Sequence, residues 1–267
     1  MLKIGLLGVG AIGRTIATAL DQKQVNAELV GLADQDQARA AALSAELASH
    51  PPVVSIDEMI ERADLAVEAA SQAALAEFVP KALKRGRDML IMSVGGLLGH
   101  QDWFRQAQEK GCRIYVPSGA IAGLDGIKSA SIGRIEAAEL TSRKPVAALR
   151  GSKYVIDRGI QLDNLREEMV IFEGPAEEAA RAFPATSNVA ASLRLAVEPS
   201  APVCVRVVAV PGGSENIHEI RVHGEFGRLS VRVENVPSKS NPRTSQLAAF
   251  SAIATLKNLT QSLRVGT

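Results

Sequence analysis

The chain has 267 residues, 46% of them hydrophobic and 22% charged, with a formal net charge of +1. That is the composition of a globular protein long enough for one large domain or two modest ones. Near-neutral charge gives no footing for nucleic acid or an anionic membrane, and an aromatic content of 3% leaves little for base stacking. 

No apolar run reaches the roughly 18 residues of a membrane span. The N-terminus enters a strand at once, without a leader-like segment, and a cytoplasmic location is expected. The first predicted strand, residues 3–7, runs into Gly8-Val9-Gly10-Ala11-Ile12-Gly13, and a helix follows over 11–21. Strand, glycine turn and helix in that order form the context of a dinucleotide fingerprint. Gly8 would make the tight turn, Gly10 would let the backbone approach a pyrophosphate, and Gly13 would let the helix pack on the strand. The N–H groups of Ala11, Ile12 and Gly13 at the helix start would face the phosphates.

The second strand, 28–33, ends at Asp34. A carboxylate there accepts hydrogen bonds from adenosine ribose hydroxyls and repels a 2′-phosphate. Gln35, Asp36 and Gln37 follow with no arginine among them, so NAD is expected, with NADP possible. Asp34 could also cap the next helix. Further strands are predicted at 53–55, 65–68, 88–92 and 113–116, and helices at 36–48, 57–62, 72–85 and 101–110. This alternation predicts an α/β fold, a parallel sheet covered on both faces.

After Gly119 the rhythm changes. A glycine-rich stretch, 119–126, leads to a short helix, a strand at 136–141, and helices at 176–182 and 189–197. Strands at 203–210, 217–223 and 229–236 follow, joined by glycine-containing turns, which predicts an antiparallel sheet. A last helix is expected from Thr244 to Leu263. The domain expectation is a Rossmann unit over 1–119 and an α+β substrate and dimerisation unit over 120–242, with the helical segment 243–267 packing back on the first.

Side chains alternate faces along a strand. His218, Ile220 and Val222 therefore share one face, and Glu219, Arg221 and His223 the other. His218 is a titratable ring on an apolar face, which suits either a core residue or an acid/base group. Arg143 and Lys144 at a strand end read as a solvated turn or as a clamp for an anion. In Asn241-Pro242-Arg243-Thr244-Ser245 a helix start rich in donors could hold a carboxylate or merely cap. Ser187 or Asn188 suits helix capping. His50 and His100 read as surface residues. Cys112 and Cys204 lack metal-ligand spacing and read as small hydrophobes; no metal is expected.

Taken together, Met92-Ser93-Val94-Gly95-Gly96-Leu97, Pro117-Ser118-Gly119-Ala120-Ile121, Arg143-Lys144-Pro145, Phe183-Pro184 with Asn188-Val189-Ala190-Ala191, Asn216-Ile217-His218-Glu219, and Asn241-Pro242-Arg243-Thr244-Ser245 resemble the L-aspartate dehydrogenase family. The resemblance runs along essentially the whole chain. It implies NAD(P)-dependent oxidative deamination of L-aspartate through iminoaspartate to oxaloacetate and ammonia, and a link to de novo NAD synthesis. It places the catalytic histidine on His218 and cofactor contacts on Ala120 and Asn188. The family's Lys-Pro-Pro stands here as Lys144-Pro145-Val146, and Arg243 takes the place of a lysine. Two substrate carboxylates would then draw on Lys144, Arg243, Thr244 and Ser245. The implied partners are the small-molecule substrate and a second copy of the chain, a homodimer. Two other readings remain open here. One is another Rossmann plus α+β oxidoreductase, such as dihydrodipicolinate reductase. The other is a non-catalytic NAD sensor.

Overall fold

The computed structural model describes residues 1–184, 187–238 and 241–266, with backbone alone for 237–238 and 241–244. The chain divides into two compact units, the first made of Met1–Pro117 with Ala248–Val265, the second built on Ser118–Leu247.

Unit 1 alternates β1 (Leu2–Leu7), α1 (Ala11–Asp21), β2 (Ala27–Ala33), α2 (Gln37–Glu46), α3 (Ile56–Arg62), β3 (Leu65–Glu68), α4 (Gln72–Lys84), β4 (Asp88–Ile91), a 3₁₀ turn (Val94–Leu97), α5 (Gln101–Lys110) and β5 (Ile114–Tyr115). The five strands form a parallel sheet in the order β2-β1-β3-β4-β5. β1 is flanked by β2 and β3, so the winding reverses beside it, where open α/β sheets bind ligands. The strands are buried on both faces, which is why they read as continuous apolar runs. The strand expected at 53–55 is reduced to a single bridge, Leu32 to Val53. Pro51 and Pro52 precede it and have no N–H to extend the ladder.

Unit 2 contains α6 (Leu124–Ala130), β6 (Ile135–Pro145), α7 (Val146–Leu149), α8 (Lys153–Asp157), β7 (Met169–Pro175), α9 (Ala176–Ala182), α10 (Asn188–Ala196), β8 (Val203–Val210), β9 (Asn216–Gly224), β10 (Gly227–Asn235), β11 (Pro237–Ser238) and β12 (Asn241–Ser245). Its main sheet runs β10-β9-β6-β8-β7. The hairpin β9–β10 is antiparallel as expected, but β8 and β9 are not neighbours. β6 lies between them, parallel to β8 and antiparallel to β9. The sheet is therefore mixed, because the 11-residue β6 enters its centre and the chain returns through helices before β8. Its inward side chains pack in one core with α6, α9 and α10.

The segment 241–245, expected as a helix start, is β12, paired antiparallel with β11. The last helix, α11 (Gln246–Thr260), begins after it and sends Ala252, Ile253 and Leu256 into the core of unit 1 beside Ile4, Leu6 and Ile16.

Gly13 shows how tightly α1 is seated: a Cβ there would lie 1.9 Å from the Gly8 carbonyl oxygen, whereas a Cβ on Gly10 would meet nothing within 4 Å. Gly13→Ala should therefore lower the unfolding free energy by about 1–3 kcal/mol through overpacking. Gly10→Ala should cost under about 1 kcal/mol. Urea titration of the two variants side by side checks the difference.

Candidate active site

In unit 1 the glycine turn is held by backbone. Gly8 adopts φ +92°, and a Cβ on it would run into the Ala69 and Ala70 backbone at about 2.6 Å. Its N–H donates to the Ala33 carbonyl at 2.8 Å. α1 starts at Gly10 with no side-chain cap and no acidic residue in its first turn. The first intrahelical bond runs from the Arg14 N–H to the Gly10 carbonyl, so the N–H groups of Ala11, Ile12 and Gly13 precede the ladder. An unobstructed Gly10 and donors at the dipole's positive end suit a pyrophosphate. The residues present fit a dinucleotide.

Asp34 is tied into the same turn. Its Oδ2 accepts the Val9 N–H at 2.8 Å, and its Oδ1 accepts the Asp36 N–H at 2.9 Å. Burial pushes this carboxyl up, but those donors and the Arg39 guanidinium outweigh it and hold it below the usual carboxylate range. Arg39 donates from Nη2 to both oxygens, at 2.9 and 3.2 Å. No arginine stands among residues 35–37, yet the fold brings one to Asp34 from just beyond them. Arg39 lies on the first turn of α2, just past the window 35–37, and helical winding brings it back over the strand end. The cap of α2 is Asp36, whose side chain accepts the Arg39 N–H, so Asp34 is not that cap.

Sequence reasoning also passed over Glu68 at the end of β3. It is fully buried. It accepts the Ala70 N–H at 2.7 Å, the Ser93 N–H at 3.0 Å and the Ser93 hydroxyl at 2.8 Å. Burial raises its pKa. It pins the loop after β3, against which Gly8 lies, to the loop after β4.

In unit 2 the site grows from the pairing of β6 with β9. Ser142 stands opposite His218, with Leu140 opposite Ile220 and Ala138 opposite Val222. All six side chains are buried. The Ser142 Oγ lies 2.9 Å from the His218 Nδ1. Two residues on, Lys144 shares the inward face of β6 and is buried too. Arg143 points the other way, to Glu168 at 3.0 Å and to Glu219. The two cations expected to form one clamp therefore sit on opposite faces, and only Lys144 belongs to the site.

Burial pushes the Lys144 ammonium down to about 8. It pushes His218 down to about 3, with the Lys144 charge adding to the effect. The ring is neutral at ordinary pH. Among the described residues, no carboxylate or hydrogen-bond acceptor meets Lys144. A buried ammonium without a counter-ion is costly, and an anion brought beside it would relieve that cost. Ser142, Lys144 and Ser187 are the polar lining of a small cavity otherwise walled by Ala179, Phe183, Val189, Ala190, Val205 and Val207. Asn188 opens α10 between Ser187 and Val189, both of which line this cavity. Ser187 precedes it, yet its hydroxyl donates to the Ala180 carbonyl at 3.5 Å and makes no cap.

The remaining expected residues fall differently. The Ala120 carbonyl accepts from Asn235 Nδ2 at 3.0 Å. The Asn235 Oδ1 accepts the Ser245 hydroxyl, and Ser245 Oγ accepts the Leu247 N–H at 3.1 Å. Ser245 is thus engaged in capping α11 and holding Asn235. The side chains of Arg243 and Thr244 lie outside the described residues. Among the described residues, no three His, Cys, Asp or Glu side chains cluster as a metal site, and no helix is long and apolar enough to cross a membrane.

Residues 8–117 match the family described as homoserine dehydrogenase, NAD binding domain, which makes unit 1 an NAD(P)-binding domain; residues 125–259 match aspartate dehydrogenase, C-terminal. An L-aspartate dehydrogenase of Methanosarcina barkeri is 46% identical over 271 residues, and one of Methanocella arvoryzae 47% over 270, covering all of both chains in each case. The crystal structure of an aspartate dehydrogenase from Thermotoga maritima is similar at a TM-score of 0.76 and 26% identity, again over the whole of both chains.

The buried ammonium has a measurable cost. Its pKa of about 8, against 10.5 in the open chain, corresponds to roughly 3 kcal/mol of penalty. The penalty is present below pH 8 and fades as pH rises toward 10.5, because the unfolded chain alone then binds the proton. Stability should therefore climb through that window. Lys144→Met should be more stable than the parent at neutral pH and should lack the climb. Urea unfolding at about pH 7 and about pH 9.5 on both proteins reads the effect.

Proposed function

The chain belongs to the L-aspartate dehydrogenase family, and with oxidation of L-aspartate as its activity we propose that His218 is the general base and Lys144 the partner of one substrate carboxylate. The observation that carries this is the neutral His218 and the Lys144 ammonium, which meets no acceptor among the described residues, held on one buried face by adjacent strands. A nicotinamide bound to unit 1 supplies the acceptor for the hydride leaving Cα of aspartate. His218 takes a proton from the substrate amine, so that the nitrogen lone pair can form the imine. Having released that proton to solvent, it takes one from the water that attacks the imine carbon and returns it to the departing nitrogen, giving oxaloacetate and ammonia. A neutral imidazole is ready for that task without first shedding a proton.

Lys144 acts twice on this reading. It binds a carboxylate by charge. Once paired, its charge no longer opposes a proton on His218, so the base strengthens when substrate is present. The second carboxylate falls to Arg243 and Thr244, with Ser245 left to its structural bonds. Ala120 and Asn188 are assigned to the cofactor by the family resemblance. The same resemblance supports iminoaspartate feeding de novo NAD synthesis, and a homodimer, which sedimentation velocity would read.

NAD is the better cofactor on this proposal, because Asp34 closes the ribose site with a carboxylate. Arg39 tempers that preference, since it already neutralises Asp34 and reaches the same place.

With NAD, L-aspartate should be turned over well, and L-glutamate and D-aspartate poorly. One more methylene moves the distal carboxylate off its partners and leaves buried polar groups unpaired. His218→Ala should lower kcat by about 10²–10⁴-fold and leave the NAD Kd unchanged. A kcat near that of the parent would reduce His218 to packing. Asp34→Ala should release Arg39 for a 2′-phosphate and shift the NADP-to-NAD ratio of Kd values toward NADP, without any new arginine. Fluorescence titration with both dinucleotides tests this, and an unmoved ratio would remove Asp34 from cofactor selection.

A further inference from the structure

We propose that Ser142 is a positioning residue that accepts a hydrogen bond from the Nδ1–H of His218 and so leaves Nε2 as the nitrogen that takes the proton. The inference rests on the reading of His218 as general base and adds the tautomer in which it works.

Ser142 and His218 are directly opposed in the ladder of β6 and β9. The Oγ to Nδ1 separation is 2.9 Å and both side chains are buried. The pairing is fixed by the apolar pairs beside it on the same face, Leu140 with Ile220 and Ala138 with Val222. A slip by one residue would turn all of them to the other face. On its far side His218 is paired with Val233 of β10, which offers its ring no polar group. Lys144 is the charged neighbour on β6, and an ammonium only donates.

A neutral imidazole carries one N–H, and its partner decides which nitrogen bears it. If the Ser142 hydroxyl donated to Nδ1, the proton would sit on Nε2 and that nitrogen could accept nothing. If Ser142 accepts from Nδ1–H, Nε2 keeps its lone pair. When Nε2 then gains a proton, both ring nitrogens are donors, and Ser142 must still accept. Only the accepting arrangement persists unchanged through the proton transfer. The hydroxyl's own hydrogen is free to turn into the small cavity that Ser142 lines with Lys144 and Ser187.

The test is the long-range proton–nitrogen NMR spectrum of the full-length protein labelled with ¹⁵N-histidine. The chain has 4 histidines, so a His218→Gln sample assigns the signal. The proposal expects a protonated Nδ1 and a bare Nε2 in the parent. It expects Ser142→Ala to lose that preference and to lower kcat by about 10–100-fold with little change in KM. Ser142→Thr, which keeps the hydroxyl, should restore both. A parent protein with its proton on Nε2 overturns the proposal, and so does a Ser142→Ala protein that keeps the Nδ1–H form. Either result would leave the role of His218 standing if His218→Ala is still inactive. Conversely, Nδ1–H in the parent with normal kcat in His218→Ala would support the tautomer and sink the base.

Discussion

One constraint organises unit 2: successive residues of a strand face opposite ways, and the register of β6 on β9 is locked by buried apolar pairs. Everything chemical follows from it. Ala138 and Leu140 commit one face of β6 to the core, so Ser142 and Lys144 must follow them inward. The same rule sends Arg143 outward to its carboxylates and brings His218 under Ser142. An ammonium and an imidazole share an apolar face because the strands that carry them have no freedom to place them elsewhere. Desolvation lowers both pKa values, and His218 alone is lowered further, by the Lys144 charge.

Unit 1 uses buried carboxylates for a different purpose. Glu68 and Asp34 end neighbouring parts of the parallel sheet, and both spend their oxygens on backbone N–H groups of the loops that follow. Loop backbone in a crevice has donors that no sheet satisfies, and a short acceptor fixed at a strand end supplies the missing bonds. Asp34 has a cation beside it and lies below the usual range; Glu68 draws on uncharged donors alone and is raised. The turn that suits a dinucleotide is therefore stiffened from both sides.

Much of this was legible in the chain itself. α1 and α5 are found where the periodicity put them, and Gly8 and Gly13 occupy the positions their spacing implied. That the His218 ring faces inward with Ile220 and Val222 was legible by alternation alone, whereas its role was not. What escaped had physical reasons. β7 carries an irregular register between Val170 and Phe172, which buries Ile171 and Phe172 together and erases the period of two. The end of β6 looked like a turn because two cations and a proline followed one another, and nothing local says that Lys144 will be buried. The helices α7 and α8 span four and five residues, too few to show a period. Arg39 and Asn235 act through contacts that only the folded chain creates.

The core of unit 1 combines Ile4, Leu6 and Ile16 with Ala252, Ile253 and Leu256 from α11. During synthesis on the ribosome, those two groups leave the exit tunnel far apart in time. Unit 2 can assemble from the intervening stretch while the earlier strands wait, part of their apolar surface still uncovered. Closing so long a chain interval is slow, and a partly covered sheet is what aggregation exploits. The apolar face of α11 thus completes a core whose first strands were made long before it.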